Sequence, residues 1–207
     1  MNLSGVLTAG CKSLGLNLSE QIQEKLLGYI ELIHKWNKVY NLTAIREPES
    51  MLTQHILDSL SVLPHIHGKT LLDVGCGAGL PGIPLALANP DMEVTMLDSS
   101  HKKTAFVQQA LIELGIKNAR VVCDRVEKLK HEEKFDVIIS RAFSDLAEFV
   151  KLAGHLVAKG GRMVAMKGVY PHEELAHLPA NAELEQVIPL TVPGLDASRH
   201  LVMIKVM

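Results

Sequence analysis

Residues 71–84, LLDVGCGAGLPGIP, constrain the possible folds of this chain more than any other segment. Residues 71–74 are apolar apart from Asp73 and predict a buried strand. Three glycines then alternate with other residues, at Gly75, Gly77 and Gly79. Their backbone can turn sharply with no side chains in the way, so a ligand can lie against the main chain. A strand, a glycine turn and a helix in this order predict a site for an adenosine-containing cofactor in an α/β domain.

The spacing of the glycines indicates which cofactor is bound. A dinucleotide-binding turn has glycines at its first, third and sixth positions, and the sixth position here is Leu80. With Asp73 included, the segment reads D-x-G-x-G-x-G, which resembles the first motif of methyltransferases that use S-adenosylmethionine. The alternative is a tight strand-to-helix turn whose glycines serve only close packing. Three alternating glycines behind an acidic strand end exceed what such a turn needs.

A second acidic residue, Asp98, ends the predicted strand in VTMLDSS, residues 94–100. It lies about twenty residues beyond the glycine turn, where a carboxylate can accept hydrogen bonds from both ribose hydroxyls of a cofactor. The alternative role is to cap the next helix, for which Ser99 and Ser100 are equally good candidates. The two roles are compatible, and we favour ribose binding.

Length and composition favour one enzyme domain. The 207 residues are 47% hydrophobic, which is enough to bury a full core. We expect a helical extension over residues 1–66 and a catalytic core over residues 67–207. No run approaches the ~18 apolar residues of a membrane span. The three cysteines show no C-x-x-C spacing, so they suggest neither disulfides nor a zinc site and favour the reducing cytoplasm.

Hydrophobic periodicity predicts helices first and then an alternation of strands and helices. Ser19 is a candidate N-cap for a long helix, and a second helix is predicted over 49–63, ended by Pro64 and Gly68. The predicted strands are 70–75, 93–98, 119–123, 135–140, 161–167, 185–190 and 200–206, and the predicted helices between them are 81–88, 101–114 and 145–156. This order predicts a mostly parallel, doubly wound sheet that ends in a hairpin.

Basic residues follow several of the predicted strands. The net charge is −2, yet residues 99–130 hold seven Lys or Arg against three acidic residues. Charge counting alone leaves a phosphate-binding face and a solvated helix face equally open. Ligands bind at the carboxyl ends of parallel strands, so a rim of positive charge is expected there. Its members would be Arg125, Arg141, Lys167 and, if the hairpin folds back, Arg199.

Several other polar or aromatic residues have more than one interpretation. His55 and Asp58 lie three apart on a predicted helix, and we favour structural pairing over a metal or acid–base site, because no third ligand has suitable spacing. Asn37 and Asn41 are expected to fix a helix-to-loop transition. Trp36 is expected in the core and not as a base-stacking platform.

Seven segments together resemble the bacterial glucose-inhibited division protein B family, whose members are 16S ribosomal RNA guanine-N7 methyltransferases. The match covers nearly the whole chain in the right order, and the combination is far more specific than any single motif. The segments are HKWNKVYNLTAIRE (34–47), HILDSL (55–60), LLDVGCGAGLPGIPLAL (71–87), MLDSS (96–100), SRAF (140–143), AMKG (165–168) and RHLVMIK (199–205).

The resemblance implies a Rossmann-like methyltransferase fold, S-adenosylmethionine as cofactor, and 16S rRNA or the small ribosomal subunit as partner. We expect a cytoplasmic monomer that needs neither metal nor membrane. The expected cofactor-binding residues are Asp73, Gly75, Cys76, Gly77, Gly79, Leu80, Asp98, Val126, Glu127 and Arg141. The expected RNA-binding residues are Lys102, Arg125, Lys167 and Arg199. The expected catalytic residues are Arg141, Lys167 and Arg199.

The implied chemistry fits these residue types. Guanine N7 has a free lone pair that can attack a sulfonium methyl group without prior removal of a proton, so catalysis is mainly positioning and electrostatics. Accordingly, the strand ending at Ser140 is followed by SRAF and not by the Asp-Pro-Pro-aromatic motif of amino-group methyltransferases. A small-molecule or protein methyltransferase and a non-enzymatic regulator remain alternatives. The intact glycine turn, Asp73 and Asp98 argue against the regulator.

Overall fold

A computed structural model describes residues 2–129, 134–141, 143 and 145–207. Within these residues, seven strands form one sheet in the order β3-β2-β1-β4-β5-β7-β6. The strands are β1 Thr70–Val74, β2 Glu93–Asp98, β3 Ala119–Cys123, β4 Phe135–Ser140, β5 Val157–Lys167, β6 Ala182–Leu190 and β7 Arg199–Val206.

The helices of the described residues flank this sheet. They are α1 Leu3–Ser13, α2 Glu20–Tyr40, α3 Pro48–Met51, a π-helix Leu52–Leu57, α4 Asp58–Leu60, α5 Gly82–Ala88, α6 His101–Glu113, α7 Leu146–Ala153 and α8 His172–Ala176. Short 3-10 turns cover Leu63–His65, Val126–Lys128 and Gly154–Leu156. None of the helices described is both long and apolar enough to cross a membrane.

The strand pairing confirms the predicted sheet. Strands β1 to β5 run parallel to one another, whereas β7 runs antiparallel to both β5 and β6. Helices α5, α6 and α7 connect parallel strands, as in a doubly wound fold. The carboxyl ends of β1, β2, β4 and β5 therefore meet at one edge, where the start of antiparallel β7 also lies: Lys167 of β5 is paired with His200 of β7.

The chain preceding the sheet differs from the sequence prediction in two places. The predicted helix 49–63 contains the π-helix between α3 and α4, and Pro64 lies inside the turn Leu63–His65 instead of ending the helix. Helix α1 was not predicted, because its glycines weaken the helical signal. Gly10 is needed there for packing, since a Cβ at this position would lie 2.7 Å from a methyl carbon of Leu57.

Other local predictions are confirmed. The Ser19 hydroxyl accepts a hydrogen bond from the Ile22 amide at 3.3 Å and so caps α2. Buried side chains of α2, such as Leu26 and Ile33, share one core cluster with Leu71 of β1. The helices before residue 66 thus pack directly on the sheet, and a second cluster covers its other face.

Candidate functional site

The glycine turn between β1 and α5 is fastened to the end of β2. The Gly75 and Cys76 amides both donate to the Leu97 carbonyl, at 2.8 and 3.0 Å. All three turn glycines have positive φ, 69° at Gly75, 57° at Gly77 and 92° at Gly79, which disfavours any other residue type. A Cβ at Gly77 would meet nothing within 4 Å, whereas one at Gly79 would lie 2.7 Å from Ile83. Gly77 therefore borders open space, and Gly79 serves packing.

Asp98 holds the turn from the side. Its Oδ2 accepts from the Gly77 amide and its Oδ1 from the Ser100 amide, both at 2.9 Å. Ser100 is the residue that caps α6, with its hydroxyl accepting from the Lys103 amide. An ionised carboxylate has about four acceptor positions, so the two backbone bonds leave capacity for a ligand.

A cleft of about 460 Å³ opens beside Asp98 and Gly75 at the carboxyl edge of the sheet. Val126 and Glu127 also line it, so four residues that the sequence assigned to the cofactor site lie together. Arg125, which the sequence assigned to RNA binding, lines the same cleft. The volume falls within the ~300–1,000 Å³ of small-molecule sites. A depression of about 570 Å³ lies at the opposite edge of the sheet, where the strands begin and no glycine turn exists.

A second pocket, of about 230 Å³, is lined by three basic residues, and we call it the arginine pocket: Arg141, Lys167 and Arg199. Two of them are held by one carboxylate. Asp58, with 5% of its side chain exposed, accepts from Arg141 Nη1 at 3.3 Å and from Arg199 Nε at 2.9 Å. Arg141 also donates to the Gln54 carbonyl at 3.4 Å.

A smaller pocket of about 190 Å³ adjoins both the cleft and the arginine pocket, because it shares the lining residue Gly75 with the cleft and Arg141 with the arginine pocket. We call the three pockets together the groove. Cys76, Gly77 and Leu80 also line it. Arg141 and the glycine turn therefore line the same pocket.

Comparison with known proteins identifies the family of this chain. The model of the family GidB, rRNA small subunit methyltransferase G, matches residues 22–202. The chain belongs to the GidB family. It is 57% identical to the ribosomal RNA small subunit methyltransferase G of Nitrosospira multiformis, over 99% of this chain and 98% of that protein. It is 58% identical to the protein of the same name from Laribacter hongkongensis, over 98% of each.

Solved structures similar to this GidB-family chain support the fold. An O-methyltransferase from Bacillus cereus in complex with SAH matches with a TM-score of 0.61 at 18% identity, over 87% of this chain and 91% of that one. TrmN from Thermus thermophilus matches with a TM-score of 0.58 at 19% identity, over 83% of this chain and 53% of that one. At such identities the likeness concerns the fold alone.

The prediction that His55 pairs with Asp58 is wrong for this GidB-family chain. His55 Nε2 lies 2.9 Å from the Thr43 hydroxyl, and Asp58 binds the two arginines instead. His55 lies in the π-helix, whose wider turns alter which residues share a face. Burial, assisted by the charge of Arg141, lowers the pKa of His55 to about 4. His55 is therefore neutral near pH 7.

The expected rim of positive charge is only partly assembled. Lys167 has 10% of its side chain exposed and donates to Glu174 at 2.7 Å and to the Phe143 carbonyl at 3.1 Å. Arg125 lies apart, in the cleft, with 69% of its side chain exposed. Lys102 lies 5.9 Å above the Tyr40 ring. Two residues used in the sequence analysis lie outside the described residues: Lys130, one of the basic residues of 99–130, and Ala142, in the SRAF segment.

Asp73 lies beneath the turn and has no exposed surface. Its Oδ2 accepts from the Gly82 amide at 2.8 Å, and its Oδ1 has no hydrogen-bond partner among the described residues. Burial raises the pKa of Asp73 to about 7, although the Gly82 hydrogen bond and Arg141 act in the opposite direction. In this arrangement Asp73 holds the start of α5, and its assignment to the cofactor site stays a prediction.

We expect Asp73→Asn to gain stability relative to the wild-type protein as the pH rises from about 5 to about 8. Folding raises the pKa of the Asp73 carboxyl from 3.8 to about 7. The wild-type protein is therefore most stable, as far as this group is concerned, below pH 3.8, and it loses that stability as the pH rises to about 7. At about 1.4 kcal/mol per pKa unit, the relative gain is about 2–3 kcal/mol. Urea denaturation of the cofactor-free proteins measures it, and titration of His55 cancels because both proteins share it. A pH-independent difference would contradict the prediction.

Tyr29 is a buried residue of the site that sequence reasoning missed. Its hydroxyl reaches from α2 to donate to the Ala78 carbonyl at 2.5 Å, inside the glycine turn. Burial raises the pKa of Tyr29 well above its usual range, so the hydroxyl remains a donor. The available signal was a tyrosine on the apolar face of α2, since a buried hydroxyl needs a partner.

The predictions for Asn37 and Trp36 agree with the structure. Asn37 Nδ2 donates to the Thr43 carbonyl at 2.9 Å, and its Oδ1 accepts from the Thr43 amide at 3.0 Å, which fixes the loop after α2. Asn41 ends α2 in the left-handed conformation. Trp36 packs against Phe106, with ring centroids 5.5 Å apart, at the margin of the core.

Proposed function

We propose that this chain transfers the methyl group of S-adenosylmethionine to N7 of a guanosine in 16S rRNA. One observation carries the proposal beyond family membership: the cleft at the glycine turn and the arginine pocket adjoin a common smaller pocket, through Gly75 and Arg141. This groove provides adjoining places for an adenosine cofactor and for a base with nearby phosphates. The partner is 16S rRNA, free or in the small subunit, and the enzyme acts as a cytoplasmic monomer without a metal.

The residues of the cleft fit the cofactor. Asp98 keeps acceptor capacity for the ribose hydroxyls, and the open space beside Gly77 lets a ligand approach the main chain. Val126 and Glu127 line the far side, where an adenine ring would lie. When bound, S-adenosylmethionine supplies an electrophilic methyl group on a positively charged sulfur.

The arginine pocket fits a reaction that needs no general base. The N7 lone pair forms the new carbon–nitrogen bond while the carbon–sulfur bond breaks, and the electron pair of that bond stays on sulfur. No proton leaves. Two ionisable groups that interact with Arg141 are already engaged, since Asp58 holds both arginines and the neutral His55 lies within hydrogen-bond distance of Thr43. Arg141 and Arg199 are left to orient the base and its phosphates.

The basic residues divide by exposure. We assign Arg125 and Lys102 to phosphates along the RNA, because Arg125 is mostly exposed and Lys102 lies on the surface of α6. Arg141, Lys167 and Arg199 are assigned to the reacting guanosine. Lys167 reaches an RNA phosphate only if it exchanges its contact with Glu174. That exchange would place RNA binding in competition with an existing ion pair.

Mass spectrometry of 16S rRNA tests the proposal. Ribosomal RNA from cells with the gene should contain a 7-methylguanosine that is absent from cells without it, and the purified protein should restore it with S-adenosylmethionine. A methyl group found on a protein, on a small molecule or on another position of the base would refute the assignment of guanine N7.

We expect the rate of methyl transfer to be nearly independent of pH between about 6.5 and 8.5. Guanine N7 is unprotonated in this range, so no histidine or carboxylate has to accept a proton before attack. The measurement is a single-turnover rate with rRNA and cofactor saturating, which removes effects of the ten histidines on RNA binding. A tenfold rise that one His or acidic variant abolishes, with unchanged affinities, would mean that a general base operates.

A further inference from the structure

Three ring-bearing side chains form a surface cluster just past the carboxyl end of β5: Tyr170, His172 and His200. We call it the Tyr170 cluster. The ring centroids of Tyr170 and His172 are 4.3 Å apart with planes inclined by 38°, and His200 meets Tyr170 edge-on at 5.7 Å. Tyr170 nevertheless keeps 40% of its surface exposed, and the neighbouring Val169 keeps 76%. The Tyr170 ring is thus accessible to a partner molecule, whereas Val169 has no ring on which a partner could stack.

The Tyr170 cluster borders the arginine pocket. His200 Nδ1 lies 3.1 Å from the carbonyl oxygen of Gly168, and Gly168 itself lines the pocket. Tyr170 follows Gly168 by two residues, which separates their Cα atoms by at most about 7 Å. Across the sheet, His200 is paired with Lys167 of the pocket. Rings and cationic groups therefore stand side by side at one end of the groove.

We infer that the Tyr170 cluster is a stacking platform for an unpaired base of the RNA that flanks the target guanosine. This inference rests on the proposed function. A guanosine drawn into the groove leaves its own stack, and its neighbour loses a stacking partner at the same time. Aromatic rings beside positive charge are what proteins use to bind unpaired nucleotides, because every base has a face that stacks on a ring.

The charges around the cluster favour a base over a phosphate as its occupant. Glu174 is held by Lys167, whereas Glu173 is exposed next to His172 and repels a phosphate. A neutral base face does not suffer this repulsion. The Tyr170 hydroxyl and the imidazole nitrogens can also form hydrogen bonds with base edges.

The first test is kinetic. Tyr170→Ala should raise KM for 16S rRNA by about five- to a hundredfold, because stacking on an aromatic ring contributes this much per base, while kcat at saturating RNA stays nearly constant. Tyr170→Phe should restore KM because it keeps the ring. Val169→Ala is the matched control, since it removes exposed apolar surface from the same loop without removing a ring. Thermal denaturation and affinity for S-adenosylmethionine should be unchanged in all three variants. An unchanged KM in Tyr170→Ala, or an equal rise in Val169→Ala, would overturn the inference.

The second test detects stacking directly. The chain has one tryptophan, Trp36, so Tyr170→Trp adds a single new fluorophore at the cluster. Its fluorescence should be quenched when protein-free 16S rRNA from cells lacking this gene is added, to a greater extent than that of the wild-type protein. Equal quenching in the variant and the wild type would exclude contact between the ring and a base.

Two further outcomes separate this inference from its premise. If the wild-type protein makes no 7-methylguanosine, the proposed function fails and the platform with it. If the wild-type protein makes it and Tyr170→Ala is impaired only on assembled small subunits, the cluster contacts a ribosomal protein and the inference is wrong. Equal impairment on naked rRNA and on subunits supports the platform.

Discussion

Replacing Gly75 with valine is expected to abolish binding of S-adenosylmethionine, with a loss of at least about a hundredfold in affinity. Gly75 has a φ of 69° and lines both the cleft and the small pocket that joins it to the arginines. A β-branched side chain is strained at this φ and fills space that the ligand needs. Isothermal titration calorimetry measures the affinity. Unchanged binding would remove the glycine turn from the cofactor site.

Gly15 supplies a matched control for the strain. It has a φ of 71°, and a Cβ placed there would meet nothing within 4 Å. Gly15→Val therefore carries a similar backbone cost far from the groove and should bind the cofactor normally. Cys76→Ser should also be nearly silent, because burial raises the pKa of the thiol well above its usual range, and among the described residues the thiol makes one weak contact, to the Gly77 carbonyl at 3.9 Å. A loss of binding in Gly15→Val would mean that strain alone explains the result.

The parts of the fold that the sequence predicts depend on local patterns. Strands β2, β3 and β4 have the bounds that the sequence predicted, and Ser19 and Ser100 cap their helices through residues three positions away. The glycine turn and Asp98 were recognisable because their spacing along the chain fixes their geometry. Features that depend on short-range hydrogen bonds or on alternating hydrophobicity can therefore be predicted from the sequence.

The strand ends predicted that Arg141, Lys167 and Arg199 lie at one rim, and these three line one pocket. Their anchoring was not predicted, because it depends on contacts between residues distant in the sequence. Asp58 is 141 positions from Arg199 and 83 from Arg141, and no periodic pattern relates them. The π-helix before Asp58 also misled the prediction, because an α-helical spacing assigned His55 as its partner. Tyr29 and Ala78 illustrate the same limit, with 49 positions between donor and acceptor.

Replacing Asp58 with asparagine is expected to lower kcat/KM for rRNA by about a hundredfold or more. Asp58 anchors both Arg141 and Arg199, and a displacement of about 1 Å in a positioning group costs on the order of 10²-fold in rate. The free energy of unfolding should also fall, by about 1–3 kcal/mol, because two ion pairs are weakened. The loss stays in this range because the two arginine side chains are about a quarter exposed, so water replaces part of the lost interaction. Single-turnover kinetics and urea denaturation measure the two effects separately.

Asp136 offers a control with a similar structural role at the other edge of the sheet. Its Oδ2 accepts from the Lys69 and Thr70 amides at 2.7 and 3.1 Å, close to the start of β4 and far from the groove. Asp136→Asn should lose stability and keep its rate of methyl transfer below its unfolding temperature. If both variants lose activity in proportion to stability, Asp58 has no positioning role.

A double-mutant cycle with Arg199 decides how Asp58 acts. If Asp58 works by holding the arginines, its removal matters less once Arg199 is already alanine, so the loss in Asp58→Asn/Arg199→Ala should be smaller than the sum of the single losses. Part of the effect will persist, because Asp58 still holds Arg141 in that background. Strictly additive losses would mean that Asp58 acts independently of Arg199. If the wild-type rate rose with pH and Asp58→Asn abolished that rise, Asp58 would be a general base, and the free lone pair of N7 would no longer explain the reaction.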